Sequence, residues 1–361
     1  MSVLATADEA LGRLVRIEQR RSQVVSIVVP MAAVLAALSV GGVLMAVDGV
    51  APLSVYGEVF RGVFVLDRGL ADTAVQATPF VLLGLGLAVA YQARVFTIGA
   101  EGQYVVGAVV AVAWATADGV RELPGPVLVV SSVLVAAACG AVWAAVTGLL
   151  LARFGTSVVI TGLLLNYVAL ALLAWAVRVG IKDPKAFTPQ SRVIGDAALP
   201  IVPGLEVHLG FLLALVAVPV VALALARSRA GYRVAVLGDN ADALSANETA
   251  VARTTLLVLV VCGALAGLAG YVQVAGVTTR LNPAFATGYG YTAIVVALLG
   301  RLRPIGVLVA GLGLSALTIG FDAAERTYEI QSSTVGVIQA LIIVFFVAGD
   351  ALAERWSNGR P

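Results

Sequence analysis

Residues 254–279 read Thr-Thr-Leu-Leu-Val-Leu-Val-Val-Cys-Gly-Ala-Leu-Ala-Gly-Leu-Ala-Gly-Tyr-Val-Gln-Val-Ala-Gly-Val-Thr-Thr, and none of these side chains is charged. An α-helix needs about 20 apolar residues to cross the hydrocarbon of a bilayer, where every backbone group must be hydrogen-bonded within the segment. Small residues also recur four positions apart, at Gly263 and Gly267 and at Ala266 and Gly270. This spacing is typical of membrane helices that pack closely. The stretch therefore predicts a transmembrane helix with tightly packed neighbours.

The composition of the whole chain supports the same class. Of its 361 residues, 60% are hydrophobic and only 12% are charged, with a mean hydropathy of +1.00, whereas soluble domains are roughly 25% charged. The net charge of +2 excludes a nucleic-acid-binding protein that depends on a basic surface. One histidine (His208) and two distant cysteines (Cys139 and Cys262) exclude Cys/His zinc clusters, haem-attachment motifs and a disulfide scaffold. We therefore expect a polytopic membrane protein that binds no metal.

Ten charge-free runs predict an all-α transmembrane bundle. Two of them are short or broken: the run that begins beside Glu101, and the run that opens Leu281-Asn282-Pro283 and contains Gly288 and Gly290. Broken or re-entrant segments are expected at both. The ten runs are 22–47, 73–93, 102–117, 123–152, 154–177, 207–226, 254–279, 281–300, 304–321 and 330–349.

The positions of the basic residues predict the orientation. With the N-terminus inside, the inner loops carry 14 of the 23 Lys and Arg residues, as the positive-inside rule requires. Both termini are then cytoplasmic. The predicted organisation is a cytoplasmic amphipathic lead-in (1–21), a single transmembrane domain (22–350) and a cytoplasmic tail (351–361). The longest outer loop (178–206) contains four prolines, which exclude a continuous helix.

Glu101 is the most unusual side chain, because a carboxylate at the start of a membrane segment is expensive. Gly99 and Gly102 flank it, so the backbone there is free to unwind. Two interpretations remain open: Glu101 caps its own helix, or it lies in a broken helix that lines the path of a polar solute. The other polar side chains within the runs are mostly expected to join helices, and because they are uncharged they suit a neutral, hydroxyl-rich or heterocyclic solute. They are Gln76, Asn166, Tyr167, Gln273, Thr292 and Gln339.

The inner segment 227–253 is the longest cytoplasmic connection. Gly238-Asp239-Asn240 predicts a turn and a helix cap, and 241–246 favours a short helix with a small-residue surface. Either this segment is a solvated connector, or its helix docks into the cleft of another protein. Docking would fit a further observation: the chain has no phosphate-binding Gly-x-x-x-x-Gly-Lys-Ser/Thr loop. Without catalytic groups either, it is not expected to be an enzyme, so an ATPase on another chain would supply the energy.

A weak internal repeat accompanies these features. Phe96-Thr-Ile-Gly99 opens the third run and Phe285-Ala-Thr-Gly288 opens the eighth, and these two runs cross in opposite directions. Runs 2–5 and 7–10 are therefore candidates for inverted repeats whose broken segments meet inside the membrane.

Several of these motifs together resemble one family. The chain resembles the permease subunits of bacterial ATP-binding-cassette (ABC) importers in the ribose, branched-chain amino acid and nucleoside group, and most of all the nucleoside branch that works with basic membrane lipoproteins. The motifs that carry the resemblance are Phe96-Thr-Ile-Gly-Ala-Glu-Gly-Gln103, Leu165-Asn-Tyr167, Asp183-Pro184 with Pro189-Gln190, Gly231-Tyr-Arg233, Gly238-Asp-Asn-Ala-Asp-Ala243, Gly290-Tyr-Thr-Ala-Ile-Val-Val-Ala-Leu-Leu-Gly300 and Val337-Ile-Gln-Ala-Leu-Ile-Ile343.

The resemblance implies an importer in the bacterial inner membrane, with two permease subunits, a cytoplasmic ATPase that binds ATP and Mg²⁺, and an extracytoplasmic binding lipoprotein. No cofactor is then expected on this chain. The implied solute-path residues are Glu101, Gln103, Asn166 and Gln273. The residues implied in coupling to the ATPase are Gly231, Arg233, Gly238, Asp239, Asn240, Ala241 and Ala243.

Two departures bear on the solute. Thr97 stands where the family usually has Asn, and Gly155-Thr-Ser-Val158 replaces the usual Asn-Glu-Val. A sugar (ribose-type) or autoinducer permease is therefore an alternative to a nucleoside permease. A stand-alone channel or ion-coupled carrier is the alternative from a different class.

Overall fold

The computed structural model describes residues 32–33, 35–47, 49–240 and 248–357, which are almost entirely helical. Two isolated β-bridges, Lys182 with Ser191 and Ile201 with His208, are the only extended pairings in this part of the chain. The all-α prediction is confirmed. The helices are α1 (Leu35–Val47), α2 (Pro52–Phe64), α3 (Gly69–Gln92), α4 (Ala100–Thr116), α5 (Gly125–Phe154), α6 (Val158–Trp175), α7 (Leu209–Arg227), α8 (Arg229–Asp239), α9 (Glu248–Gln273), α10 (Tyr289–Leu299), α11 (Pro304–Tyr328) and α12 (Ser332–Ser357).

Seven of the described helices are long and apolar enough to cross a membrane: α3, α5, α6, α7, α9, α11 and α12. The helices α4 and α10 match predicted runs but are shorter, and α10 begins only after a 3₁₀ turn at Pro283–Phe285. The predicted break in the run 281–300 is therefore confirmed. At the N-terminal end, α1 and α2 form a pair bent by 118°. The lead-in 1–21 and the first ten residues of the run 22–47 lie outside the described residues.

In the compact unit Asp67–Ala316, α3 and α9 are the most buried of the long helices. The helix α9 packs against α5, α4 and α3, while α10 and α7 also pack against α3. The outer faces of α5, α6 and α7 expose large apolar side chains such as Leu134, Ile160 and Val216, as is expected of helices that face lipid.

Residues 254–279 form the centre of this unit. A Cβ atom added to Gly263 would lie 2.3 Å from the carbonyl oxygen of Gly140 on α5, and one added to Gly267 would lie 2.2 Å from that of Ala136. Real Cβ atoms do not come this close to other heavy atoms. Only glycine therefore permits this approach of α9 to α5. The close packing that the spacing of small residues predicts is confirmed.

The outer loop between α6 and α7 is irregular, as its prolines predict, but it is fixed to the end of α9. The amide of Leu199 donates to the carbonyl of Ala275 at 2.8 Å, and the hydroxyl of Tyr271 donates to the carbonyl of Ala197 at 2.7 Å. The amide of Leu281 donates to the Ser191 hydroxyl at 2.9 Å. This loop and the segment that follows α9 therefore form one hydrogen-bonded layer.

A second compact unit comprises residues up to Leu66 together with Leu317–Pro361. Its described part contains α1, α2, the second half of α11 and α12. The unit has its own apolar core, formed by Met45, Val55, Phe321, Ala324, Ile330, Val335 and Ile338. Around this core, an added Cβ atom at Gly62 on α2 would meet the side chain of Ala323 at 2.6 Å, which shows how closely α2 and α11 approach.

Candidate functional site

The helix α4 starts inside the bundle. Asn166 on α6 accepts the amide hydrogen of Gly102 at 2.8 Å. Eight residues of α6 precede Asn166, so this contact lies about 12 Å along α6 from its first residue. The segment before α4 forms a local turn, in which the Thr97 hydroxyl accepts the amide hydrogen of Gly99 at 3.1 Å. Thr97 thus satisfies an amide at the helix start, a task for which Asn is also suited.

Asn166 joins three segments through all of its side-chain hydrogen-bonding groups. Its amide nitrogen donates to the carbonyl of Ile98 at 3.0 Å and to the hydroxyl of Tyr291 at 3.1 Å. The Gly102 amide is only a donor and the Ile98 carbonyl only an acceptor, so these partners fix the orientation of the carboxamide. Asn166, which is buried, therefore fastens α6 to the start of α4 and to α10.

Glu101 caps a helix other than its own. Its Oε1 accepts the amide hydrogen of Gly288 at 3.1 Å, and its Oε2 accepts that of Gly290 at 2.6 Å. Both amides lie at the start of α10, where backbone amides have no acceptor within their own helix. A Cβ atom added to Gly290 would lie 2.3 Å from the backbone nitrogen of Glu101. The starts of α4 and α10 therefore meet, with the buried Glu101 carboxylate bonded across the contact.

An aromatic cluster lies on the same face of α4, one turn further along. Tyr104 is stacked on Phe285, with ring centroids 5.0 Å apart and planes 4° apart, and on Tyr289 at 5.6 Å. Phe80 of α3 contacts Tyr289 at 5.1 Å. Tyr104 is completely buried and its hydroxyl has no hydrogen-bond partner among the described residues.

Two carboxamides border these rings. Gln273, the last residue of α9, donates to the Tyr289 hydroxyl at 3.2 Å, and that hydroxyl donates to Gln76 on α3 at 3.5 Å. Directly after Gln273 the helix widens into a π turn, Val274–Thr278, a feature that is frequent at functional sites. The site thus combines aromatic faces with groups that both donate and accept hydrogen bonds.

Five of the seven residues predicted for coupling lie on α8 or directly after it. The prediction placed a helix at 241–246, which lies outside the described residues together with Ala241 and Ala243. The observed helix is α8, capped by the Ser228 hydroxyl, which accepts the amide hydrogen of Gly231 at 2.9 Å. An added Cβ atom at Gly238 would lie 2.0 Å from the carbonyl oxygen of Gln92, so α8 packs directly on the end of α3.

The opposite face of α8 is exposed. Tyr232, Arg233 and Asp239 lie on it, and Asn240 follows as an exposed residue. An open cavity of about 740 Å³ adjoins this face. It is lined by Leu225, Ala226, Arg227, Ser228, Arg229, Gly231, Tyr232, Arg233 and Ala235.

Comparison with known proteins identifies this architecture. Residues 69–347 match the family described as "Branched-chain amino acid transport system / permease component". The chain belongs to this permease family. The permease is 36% identical to the glucose ABC transporter permease protein TsgB13 of Haloferax volcanii, over 89% of this chain and 87% of the relative. No solved structure matches it significantly.

Two further relatives carry nucleoside names. The permease is 30% identical to the guanosine ABC transporter permease protein NupP of Bacillus subtilis, over 90% of this chain and 94% of the relative. It is 28% identical to the nucleoside ABC transporter permease protein NupB of Lactococcus lactis, over 91% of this chain and 92% of the relative. Each of these three organisms has a second matching permease, at 26%, 24% and 22% identity. The chain is therefore a multi-pass permease subunit of an ABC transporter, as the sequence motifs predict.

The permease brings three of the four predicted path residues to the start of α10. Glu101 bonds to its amides, Asn166 to Tyr291 and Gln273 to Tyr289. Gln103 is buried on α4, and its Oε1 has no partner among the described residues. Tyr167, by contrast, is 65% exposed and points away from the site.

Sequence reasoning did not select the aromatic residues of the site. Tyr104, Phe285 and Tyr289 are ordinary apolar or interfacial residues in the sequence, and only their meeting in space distinguishes them. The one available signal is that Tyr104 and Tyr289 each lie next to a motif that carries the family resemblance: Tyr104 lies three residues after Glu101, and Tyr289 lies one before Gly290.

Proposed function

We propose that this permease forms half of the translocation path of an ABC importer for a nucleoside. The observation that carries the proposal is the cluster of Tyr104, Phe285 and Tyr289 with the carboxamides of Gln273 and Gln76. Aromatic faces stack on nucleobases, and carboxamides pair with the donors and acceptors of base edges and ribose hydroxyls. The names of the guanosine and nucleoside relatives support the same solute class.

The path residues take different roles in this proposal. Gln273 and Tyr289 present polar atoms to the solute, while Glu101 and Asn166 hold the starts of α4 and α10 in place. The side-chain carbonyl oxygen of Gln103, also on α4, has no hydrogen-bond partner in the described part of the chain. In the structure the rings of Tyr104 and Phe285 are stacked on each other, so passage of a solute requires these rings to separate.

A sugar is the second candidate solute. The relative with 36% identity is named for glucose, and aromatic faces with neighbouring carboxamides also suit the hydroxyl-rich rim of a pyranose. The planar stack of Tyr104 and Phe285 favours a flat base over a puckered ring, which is why the nucleoside is our first choice.

The coupling of the permease to its ATPase is assigned to α8. Arg227, Arg229 and Arg233 adjoin its exposed face and the cavity beside it, with Tyr232 between them. Exposed Tyr and Arg side chains are enriched in protein interfaces. Because Gly238 packs on the end of α3, a movement of α8 would be transmitted to the helix that carries Gln76 and Phe80.

The remaining partners follow from the same proposal. Three organisms each hold two permeases related to this chain, which supports assembly with a paralogous second permease. ATP and Mg²⁺ bind to the separate ATPase, and a substrate-binding lipoprotein delivers the solute from outside. The permease lies in the inner membrane with both termini in the cytoplasm, as the distribution of Lys and Arg supports.

Uptake measurements test the solute. Cells that produce the complete importer are expected to accumulate radiolabelled guanosine, and a large excess of unlabelled glucose is expected not to compete. Competition by glucose but not by adenosine would assign the importer to sugars instead.

A separate measurement tests the coupling surface. Arg233→Glu reverses a charge on the exposed face of α8, and this change is expected to abolish co-purification of the ATPase while the permease still inserts and melts normally. Arg121→Glu makes the same change on an exposed residue of the loop between α4 and α5 and serves as the control. Equal recovery of the ATPase with both variants would exclude α8 as the coupling helix.

A further inference from the structure

The start of α10 contains a binding position for an anion that the protein itself fills. The amides of a first helical turn have no partner within the helix, and the helix dipole places positive potential there. Such a terminus is a general binding site for carboxylates and phosphates. In the permease, the amides of Gly288 and Gly290 instead donate to the two oxygens of Glu101.

Several observations show that this carboxylate is built into the site. Glu101 is 2% exposed. Among the described residues it forms no ion pair with Lys or Arg, so its hydrogen-bonded partners are these backbone amides. Glycine is the only residue type that fits at position 290, because an added Cβ atom would lie 2.6 Å from the Glu101 Cα. The sequence therefore specifies both parts of the contact: Glu101 supplies the carboxylate, and the glycine at position 290 lets α10 approach it closely.

The depth of the contact matters for transport. The helix α10 has 11 residues and is about 16 Å long, roughly half the thickness of the bilayer hydrocarbon. The helix α10 is therefore too short to cross the hydrocarbon by itself. A broken helix whose N-terminus lies within the membrane is the arrangement by which transporters bind anionic groups of their substrates.

We propose that Glu101 determines the charge selectivity of the path. By occupying the anion position at the start of α10, its carboxylate keeps the Gly288 and Gly290 amides from an acidic solute. It also repels a second negative charge in a poorly solvated region. The path then admits uncharged solutes and rejects those that carry a carboxylate or phosphate: a nucleoside passes and a nucleotide does not. This inference rests on the proposed function, since it assumes that the contact of α4 and α10 borders the solute path.

The test is chemical rescue of the missing carboxylate. In Glu101→Ala, the Gly288 and Gly290 amides lose their acceptor and a space of carboxylate size remains. Sodium acetate is therefore expected to raise the Tm of the purified full-length E101A permease by about 2 °C or more, with saturation, beyond the effect of sodium chloride at equal ionic strength.

Three proteins serve as controls. The wild type and Glu101→Gln keep the position filled and are expected to show no acetate effect. Glu122→Ala removes an exposed carboxylate from the loop between α4 and α5 and is also expected to show none. If E101A can be purified in folded form only with acetate present, that dependence is the expected rescue. An acetate effect in E101A no larger than in the E122A control, or failure to recover E101A even with acetate, would overturn the proposal.

A second arm separates the selectivity from the identity of the solute. Guanosine is expected to stabilise the wild type more than guanosine 5′-monophosphate does, and this order is expected to reverse in E101A. A wild type stabilised at least equally by the monophosphate would overturn the charge selectivity. If guanosine stabilises neither protein, the nucleoside assignment fails, while the acetate titration still decides the role of Glu101.

Discussion

The carboxylate of Glu101 accepts the amide hydrogen of Gly290 at 2.6 Å across 189 positions of the chain. The contact joins the starts of two short helices from distant parts of the sequence, and each of these helices begins next to a glycine-rich segment. The starts of α4 and α10 are fixed to each other by this contact, in addition to the bonds by which Asn166 holds the start of α4. The break in each span and the contact between the breaks are therefore one structural feature.

The first prediction concerns the space at this contact. Gly290→Ala would place a methyl group 2.3 Å from the backbone nitrogen of Glu101, so α10 must move away and its bonds to Glu101 must lengthen. Overpacking of this kind costs about 1–3 kcal/mol, and we expect a lower Tm together with loss of uptake. Gly313→Ala on α11 is the matched control, since nothing lies within 4 Å of its added Cβ atom. Similar melting of the two variants would contradict the close contact.

The second prediction separates the bonds of Asn166. Asn166→Ala leaves the Gly102 amide and the Ile98 carbonyl without their buried partner, and each unpaired group costs about 1–3 kcal/mol. Tyr291→Phe removes only one of two acceptors of the Asn166 amide, so it is expected to lower the free energy of unfolding by much less. Chemical denaturation of both variants measures the difference. If both variants lose the same free energy of unfolding, the hydrogen bonds from Asn166 to the start of α4 do not contribute to stability.

How far the sequence predicts the fold depends on the kind of helix. Long charge-free runs identify α3, α5, α6, α7 and α9 because the bilayer imposes their length and composition. The search for charge-free runs does not find α2, because Glu58 and Arg61 interrupt its apolar residues. In the structure these two side chains form an ion pair at 3.6 Å on one face of α2.

The candidate site is predictable only in part for a different reason. A buried carboxylate beside two glycines marks Glu101 as unusual, but the sequence offers only the start of its own helix or a solute as partners. The actual partners are amides of α10, and that pairing depends on how two broken helices align in space. The same holds for Tyr104 and Tyr289, whose stacking depends on tertiary contacts that local sequence patterns do not encode.

The third prediction concerns His208, which directly precedes α7. Burial against the backbone of Gly210 and Gly276 lowers the pKa of this side chain, and neither ring nitrogen has a partner among the described residues. The unfolded chain binds a proton near the ordinary pKa of about 6.5, whereas the folded permease binds it only at lower pH. The stabilising contribution is therefore complete above about pH 6.5 and is lost as the pH falls through the folded-state pKa.

Thermal melting at about pH 8 and about pH 5.5 measures this effect. The wild type is expected to lose more stability on acidification than His208→Gln, which keeps a polar side chain but cannot take up the proton. Parallel losses in both proteins would show that other groups cause the pH dependence.

The fourth prediction tests the solute site through one oxygen atom. Tyr289→Phe keeps the ring that stacks on Tyr104 but removes the hydroxyl between Gln273 and Gln76. Loss of each such hydrogen bond lowers the free energy of unfolding by only about 0.5–1.5 kcal/mol. The variant is therefore expected to fold and to remain bound to the ATPase subunit. If this hydroxyl contacts the solute, the KM for uptake rises several-fold. Tyr167→Phe makes the same change on the exposed face of α6 and should leave uptake unaltered. An unchanged KM in Y289F, with Tyr289→Ala equally active, would show that the solute crosses the membrane elsewhere in the permease.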